Sequence, residues 1–250
     1  CTGTFSTTVT VNPLPIITAS ASPSSICFNN SSTLTASGGS TYTWTPGNLT
    51  GSTTVVSPTA STAYVVTGTG TNGCTNFTSV AVTVNNNPSV TITSSSPSLC
   101  IGSSATLTAG GTLSYTWNPG ASNNTNIVVN PTVTTVYTVT GSNGFGCTAT
   151  SFFTLTAVPV PTVNAVASNN TVCAGFTTAL TAIGANNYTW NPGSATGSNV
   201  VVSPTITTIY TVTGNTSGCS SSTNILITVN PLPSVTAAAN PTAICVLSIN

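Results

Sequence analysis

The chain has 250 residues and no Lys, Arg, Asp, Glu or His, so its formal net charge is zero. Only Tyr, Cys and the chain ends can titrate, which excludes the carboxylate pairs, imidazole bases, Schiff-base lysines and Ser–His–Asp sets of most enzymes. The same absence removes carboxylate and imidazole metal sites and the cations that neutralise a nucleic-acid backbone, so no catalysis, metal, cofactor or nucleic-acid partner is expected.

The elements are predicted from a pattern that repeats. Residues 1–15 match the end of a repeat and read as its last strand, closed by the joint "VNPLP" (Val11–Pro15). Three complete repeats follow, at 16–87, 88–160 and 161–232, and 233–250 read as the start of another. Their joints are "VNNNP" (Val84–Pro88), "AVPVP" (Ala157–Pro161) and a second "VNPLP" (Val229–Pro233), where Pro stiffens the spacer and stops strands from running on. Within the second repeat, "SVTIT", "ATLTA", "SYTWN", "NIVVN", "TVYTVTG" and a long strand from Thr148 to Ala157 alternate apolar and polar residues. Six or seven strands without a helical pattern predict an all-β fold. The expected fold is a tandem of antiparallel two-sheet β-sandwich domains of about 73 residues, each with Thr and Ser on the wet face.

The period is set by markers of unlike chemistry. Trp44, Trp117 and Trp190 are 73 residues apart, as are Tyr64, Tyr137 and Tyr210. The hexapeptides "YTWTPG" (Tyr42–Gly47) and "YTWNPG" (Tyr115–Gly120, Tyr188–Gly193) keep the same beat. Tyr42, Trp44, Tyr64, Tyr115, Trp117, Tyr137, Tyr188, Trp190 and Tyr210 are the predicted core aromatics, each able to bury ~150–250 Å². The competing use of Tyr-x-Trp is an aromatic platform for sugars. One residue is lost between Tyr210 and Cys219, which marks a surface loop.

The residues "LCIGSSATLTAGGTLSYTWNPG" and "VNPTVTTVYTVTGSNGFGC", closed by "VNPLP", resemble the immunoglobulin-like and PKD-like repeats of very large surface proteins of Bacteroidota. The resemblance covers all three repeats, with "CFNN" in the first departing from "CIGS" and "CAGF" in the others. It implies secretion, surface display and a stalk or adhesive role, and no catalytic residues. Many such repeats carry acidic turn residues; none is present here, so calcium-dependent stiffening is not expected.

Cysteines recur with the same period: Cys27, Cys100, Cys173 and Cys245 in one series, Cys1, Cys74, Cys147 and Cys219 in the other. There is no CxxC and no His, so the spacing does not suit zinc and reads as disulfides in an oxidising compartment. The expected pairing is within a repeat, Cys27–Cys74, Cys100–Cys147 and Cys173–Cys219, which leaves Cys1 and Cys245 for bonds between repeats or chains. The alternative joins neighbouring repeats, because the two cysteines of one immunoglobulin-like domain can lie at opposite poles.

Asn-x-Ser/Thr occurs at Asn29, Asn30, Asn48, Asn76, Asn123, Asn169, Asn187 and Asn215, about as often as chance allows in this composition; these are candidate glycosylation sites. Thr-x-Thr runs do not recur at the short, even spacing an ice-binding face needs. No apolar stretch approaches the ~20 residues of a membrane span, so no membrane insertion is expected. No charged segment precedes an apolar core, so no signal peptide is expected, and there is no Met; a processed product or an internal stretch of a longer chain is expected. The functional expectation is an extracellular or cell-surface structural array: a stalk, fibre or filament whose partners are copies of itself, associating laterally or end to end. The alternative is an adhesin or carbohydrate-binding array that takes surface glycans.

Overall fold

The computed structural model describes residues 2–238. Among these residues every regular element is a β-strand, as expected for a chain whose β-branched Thr and Val fit a pleated surface. The first repeat contributes β1 (Thr18–Ser22), β2 (Ser25–Cys27), β3 (Ser32–Ser37), β4 (Thr41–Thr45), β5 (Leu49–Thr50), β6 (Thr53–Val56), β7 (Thr62–Thr69) and β8 (Thr75–Asn85). The second contributes β9 (Thr91–Ser94), β10 (Ser98–Cys100), β11 (Ala105–Gly110), β12 (Ser114–Asn118), β13 (Asn126–Val129), β14 (Thr135–Ser142) and β15 (Thr148–Val158). The third contributes β16 (Asn164–Ala167), β17 (Thr171–Cys173), β18 (Thr178–Ile183), β19 (Asn187–Asn191), β20 (Ala195–Thr196), β21 (Asn199–Val202), β22 (Thr208–Thr216) and β23 (Cys219–Asn230).

Each repeat forms two sheets. In the first, a three-stranded sheet β1-β3-β6 faces a five-stranded sheet β2-β8-β7-β4-β5, and the third repeats this as β16-β18-β21 and β17-β23-β22-β19-β20. The second has β13-β11-β9 and β10-β15-β14-β12, without the two-residue strand that β5 and β20 supply. All pairings in the first repeat are antiparallel except one: β2 runs parallel to the end of β8, with Cys27 opposite Asn85. This is a tandem of immunoglobulin-like β-sandwiches. Close packing groups the described residues into two compact units, one drawn from residues 2–95, 105–129 and 136–154, the other from 96–104, 130–135 and 155–238.

The cores lie between the sheets. Leu34 from β3 meets Trp44, Val66 and Val82 from the five-stranded sheet, all four without exposed surface. Leu180, Trp190, Val212 and Ile227 occupy the same positions in the third repeat. Alternation puts them there: in β4, Tyr42 and Trp44 are buried while Thr41, Thr43 and Thr45 are exposed.

The recurrent hexapeptide is a turn-locking device as well as core filling. The Tyr42 hydroxyl donates to the Gly39 carbonyl and accepts from the Gly39 amide, both at 2.7 Å, holding the turn before β4. Tyr115 does the same at Thr112, and Tyr188 at Ala185. The buried indoles reach forward seven residues: Trp44 Nε1 donates to the Gly51 carbonyl at 3.0 Å, Trp117 to Asn124 at 2.8 Å and Trp190 to Gly197 at 3.1 Å. One Tyr and one Trp thus pin the loops on both sides of a single strand and satisfy their own polar atoms. The Pro-Gly that follows the Trp turns the chain, with Gly47, Gly120 and Gly193 at φ of 104°, 112° and 106°, a region costly for any residue with a Cβ.

Tyr64, Tyr137 and Tyr210 are also buried, and desolvation raises each phenol above its ordinary value of 10.0. The neutral phenol is therefore the form favoured by the fold. This contribution is complete below pH about 10 and is lost as pH rises through the folded value. With no carboxylate, imidazole or amine side chain to titrate, thermal stability should be flat from about pH 4 to about pH 9 and fall above about pH 10. Circular-dichroism melts across that range check this; a stability step near pH 5 would contradict it.

Residues 2–17 form no strand, where a last strand within 1–15 was expected. Cys1 and residues 239–250, with Cys245 and most of the segment expected to begin a following repeat, lie outside the described residues.

Candidate functional site

The chemistry of this chain is concentrated in its cysteines, and strand geometry decides how they meet. The first cysteine of a repeat ends a short strand laid parallel against the exit of the long last strand, Cys27 opposite Asn85 and Cys173 opposite Asn230. The second cysteine stands at that strand's entry: Cys74 just before β8, Cys219 at the first residue of β23. Eleven residue steps of extended chain separate the two poles, or about 35 Å. The expected bonds Cys27–Cys74 and Cys173–Cys219 are therefore out of reach of a disulfide, whose Cα atoms lie ~4.4–6.8 Å apart.

The bonds run from one repeat to the next. Cys27 joins Cys147 with Cα atoms 5.5 Å apart, and Cys100 joins Cys219 at 5.6 Å. This corrects the within-repeat pairing and puts Cys27, Cys100, Cys147 and Cys219 in bonds between neighbouring repeats. Cys74 and Cys173 hold free thiols. The staples span 120 and 119 residues, and in the chain-entropy account each removes roughly 5 kcal/mol of freedom from the unfolded chain. They also interleave, since Cys100 lies inside the first loop and Cys147 inside the second.

Polar side chains set each second cysteine against the incoming linker. Asn143 Oδ1 accepts from the Cys147 amide at 3.1 Å while its Nδ2 donates to the Asn86 carbonyl at 2.9 Å. In the first repeat Asn72 does both, accepting from the Cys74 amide at 3.1 Å and donating to Pro13 at 2.9 Å. In the third, the Ser221 hydroxyl donates to the Pro161 carbonyl. Sequence reasoning missed these clamps, because their partners lie about sixty residues away and the Asn stands two residues before one cysteine and four before the other.

Of the candidate glycosylation residues, Asn29, Asn48, Asn123, Asn169 and Asn187 are exposed, and Asn30 is too. Asn76 and Asn215 are half-buried; Asn76 Nδ2, the nitrogen a glycan would need, already donates to the Pro15 carbonyl at 3.0 Å. The nine core aromatics are all buried, so Tyr-x-Trp supplies no exposed sugar platform. A shallow groove does recur, lined by Ser40–Thr43 and Thr50–Ser52 in the first repeat and by 186–189 and 196–198 in the third. No group of three or more His, Cys, Asp or Glu converges among the described residues, and no helix there is long and apolar enough to cross a membrane.

Fold and staples define a class: tandem immunoglobulin-like β-sandwiches, disulfide-linked from one repeat to the next. No family model and no curated protein sequence matches the chain. Among solved structures it is similar to the three N-terminal domains of the highly immunogenic outer capsid protein of bacteriophage RB49. That match has 14% identity, 88% of this chain, 99% of the other and a TM-score of 0.38. It is also similar to titin domains I67–I69, at 12% identity over 84% of this chain and 95% of the other, TM-score 0.39. A third is a 1.5-MDa bacterial ice-binding adhesin, at 15% identity over 89% of this chain and all of the other, TM-score 0.30.

Proposed function

We propose that this chain is an extracellular structural protein, a stapled β-sandwich array that forms a stalk, fibre or self-associating surface filament. The carrying observation is the staple between consecutive repeats: it adds a covalent bond across the joint between one repeat and the next. Such bonds persist in oxidising, extracellular settings. Three complete domains, at 16–87, 88–160 and 161–232, are the units of the array.

Self-association has surfaces suited to it. Edge strands usually carry charged guards against pairing with a foreign strand. Here β6 and β21 close their sheets without one, as does β13, and each presents an exposed valine, Val55, Val201 and Val128 respectively. Outer faces satisfy their hydroxyls in cross-strand pairs, as in Ser114–Ser142 at 2.6 Å and Thr213–Ser222 at 3.1 Å, so they can meet another face without desolvating an ion. Cohesion should change little between about 10 mM and 1 M salt, over which ionic contacts would be screened. Light scattering and electron microscopy of assemblies across that series are the test; dissociation at high salt overturns the reading.

The recurring groove, with threonines along it in both repeats, favours a second reading, an adhesin that takes glycans. Specific retention on a glycan array, lost on substituting Thr43 and Thr189, would support it.

A further inference from the structure

Asn-Gly occurs twice in the chain, at Asn72–Gly73 and at Asn143–Gly144. Both asparagines clamp a linker beside a cysteine, yet their side-chain amides are set differently. Asn143 Oδ1 accepts from two backbone amides, Phe145 at 3.0 Å and Cys147 at 3.1 Å. Asn72 Oδ1 accepts from one, Cys74 at 3.1 Å. The glycine that follows differs too. The Gly73 amide donates to the Gly70 carbonyl at 3.0 Å, whereas the Gly144 amide has no protein acceptor. Gly144 is exposed to solvent.

The backbone nitrogen after an asparagine is an intramolecular nucleophile toward Cγ, and a glycine there leaves it unshielded by a Cβ. Two N–H groups aimed at Oδ1 are the arrangement that stabilises an oxyanion forming on it. We propose that Asn143 is a built-in deamidation site, at which the Gly144 nitrogen closes on Cγ and the clamping amide becomes a carboxylate.

The Gly144 nitrogen gives its proton to a solvent base and attacks Cγ. The N–Cγ bond forms and Oδ1 takes the electron pair, held by the Phe145 and Cys147 amides. The pair returns, the Cγ–Nδ2 bond breaks, and Nδ2 leaves as ammonia with the proton restored. Water then opens the five-membered imide at either carbonyl. One water is consumed and the products are a carboxylate and ammonium, with no oxidant or reductant. The loss is felt at the joint. Nδ2 donates to the Asn86 carbonyl at 2.9 Å, and a carboxylate has no hydrogen to donate in its place. Conversion therefore releases the linker 84–88 from the second repeat. It also puts a charge beside the stapled Cys147, in a chain whose side chains otherwise carry none.

The test uses the full oxidised chain held at mildly alkaline pH, with the reduced, denatured chain as reference. Isoelectric focusing should show acidic forms accumulating, since each conversion adds a negative charge to a net charge of zero. Chymotryptic mass mapping should place the exchange of NH2 for OH at Asn143, at least roughly tenfold faster than at Asn72. In the denatured chain, where neither asparagine is held, the two should convert at similar rates. Gly144→Ala should slow conversion at Asn143 by roughly tenfold or more. The fold accepts that change: Gly144 is outside the left-handed region, and an added Cβ would meet only Leu113 Cδ1, at 3.9 Å. Cys27–Cys147 and Cys100–Cys219 should still map in the variant. Asn143→Asp should speed amide hydrogen exchange in the linker 84–88 severalfold. The proposal is overturned if Asn72 converts as fast as Asn143 in the folded chain, or if the Gly144→Ala chain converts as fast as its parent. A folded chain that stays unconverted while the denatured chain turns over would overturn it as well. Linker exchange unchanged by Asn143→Asp would overturn the release of the joint.

Discussion

Trp44→Ala should destabilise the first repeat by about 3–5 kcal/mol, the cost of removing a large buried aromatic from a core that cannot collapse around the gap. Trp44 has no exposed surface, packs between the two sheets and ties its indole to Gly51. In a domain of this size each kcal/mol is worth roughly 4–8 °C, so a melting shift of more than about 12 °C is expected. Trp44→Phe keeps an aromatic ring but loses part of the indole volume and the bond across the Pro-Gly turn, so it should cost less, about 2–3 kcal/mol. Val128→Ala, at a position 73% exposed, should stay within about 0.5 kcal/mol. Urea titration of each variant decides it. A Trp44→Ala effect no larger than that of Val128→Ala would mean that the hexapeptide is not the centre of the core.

The sandwich was readable because its determinants are local and periodic. Alternation puts Tyr115 and Trp117 on one face of β12 whatever lies beyond that strand, and the 73-residue beat repeats the statement three times. The short strand β10 was not read, since three residues, "SLC", show no period. That omission carries over to the disulfides. The pole on which Cys27 sits is set by the parallel pairing of β2 with the end of β8, a contact between residues 58 apart that leaves no mark in either segment. Without it, two cysteines in one repeat look like natural partners. Asn72 and Asn143 stayed hidden for the same reason, each defined by a linker carbonyl distant in sequence. What the alternation does show, a surface of uncharged hydroxyls, suits a protein whose continuity comes from covalent bonds rather than ion pairs.

Pulling the oxidised chain from its two ends should yield a contour length far below that of the reduced chain. The shortest covalent path runs from residue 2 to Cys27, crosses to Cys147, follows the backbone back to Cys100, crosses to Cys219 and ends at residue 238. It contains about 90 residue steps instead of about 240, so full extension is roughly 300 Å against roughly 800 Å. Because the loops interleave, tension on one staple is handed to the next through residues 100–147 alone, and the rest of each loop is shielded even after its domain unfolds. Pairing within repeats would shorten the chain by a similar amount, so the deciding variant is Cys74→Ser/Cys173→Ser. With staples between repeats it should keep the length of about 90 residues, while pairing within repeats would retain only Cys100–Cys147 and lengthen it to about 190. Single-molecule force spectroscopy, with handles fused to the ends and away from any thiol, separates these lengths directly. A double variant that extends to the longer value, or an oxidised chain that extends as far as the reduced one, would show that the repeats are not bonded to their neighbours and that the array carries load through its folds.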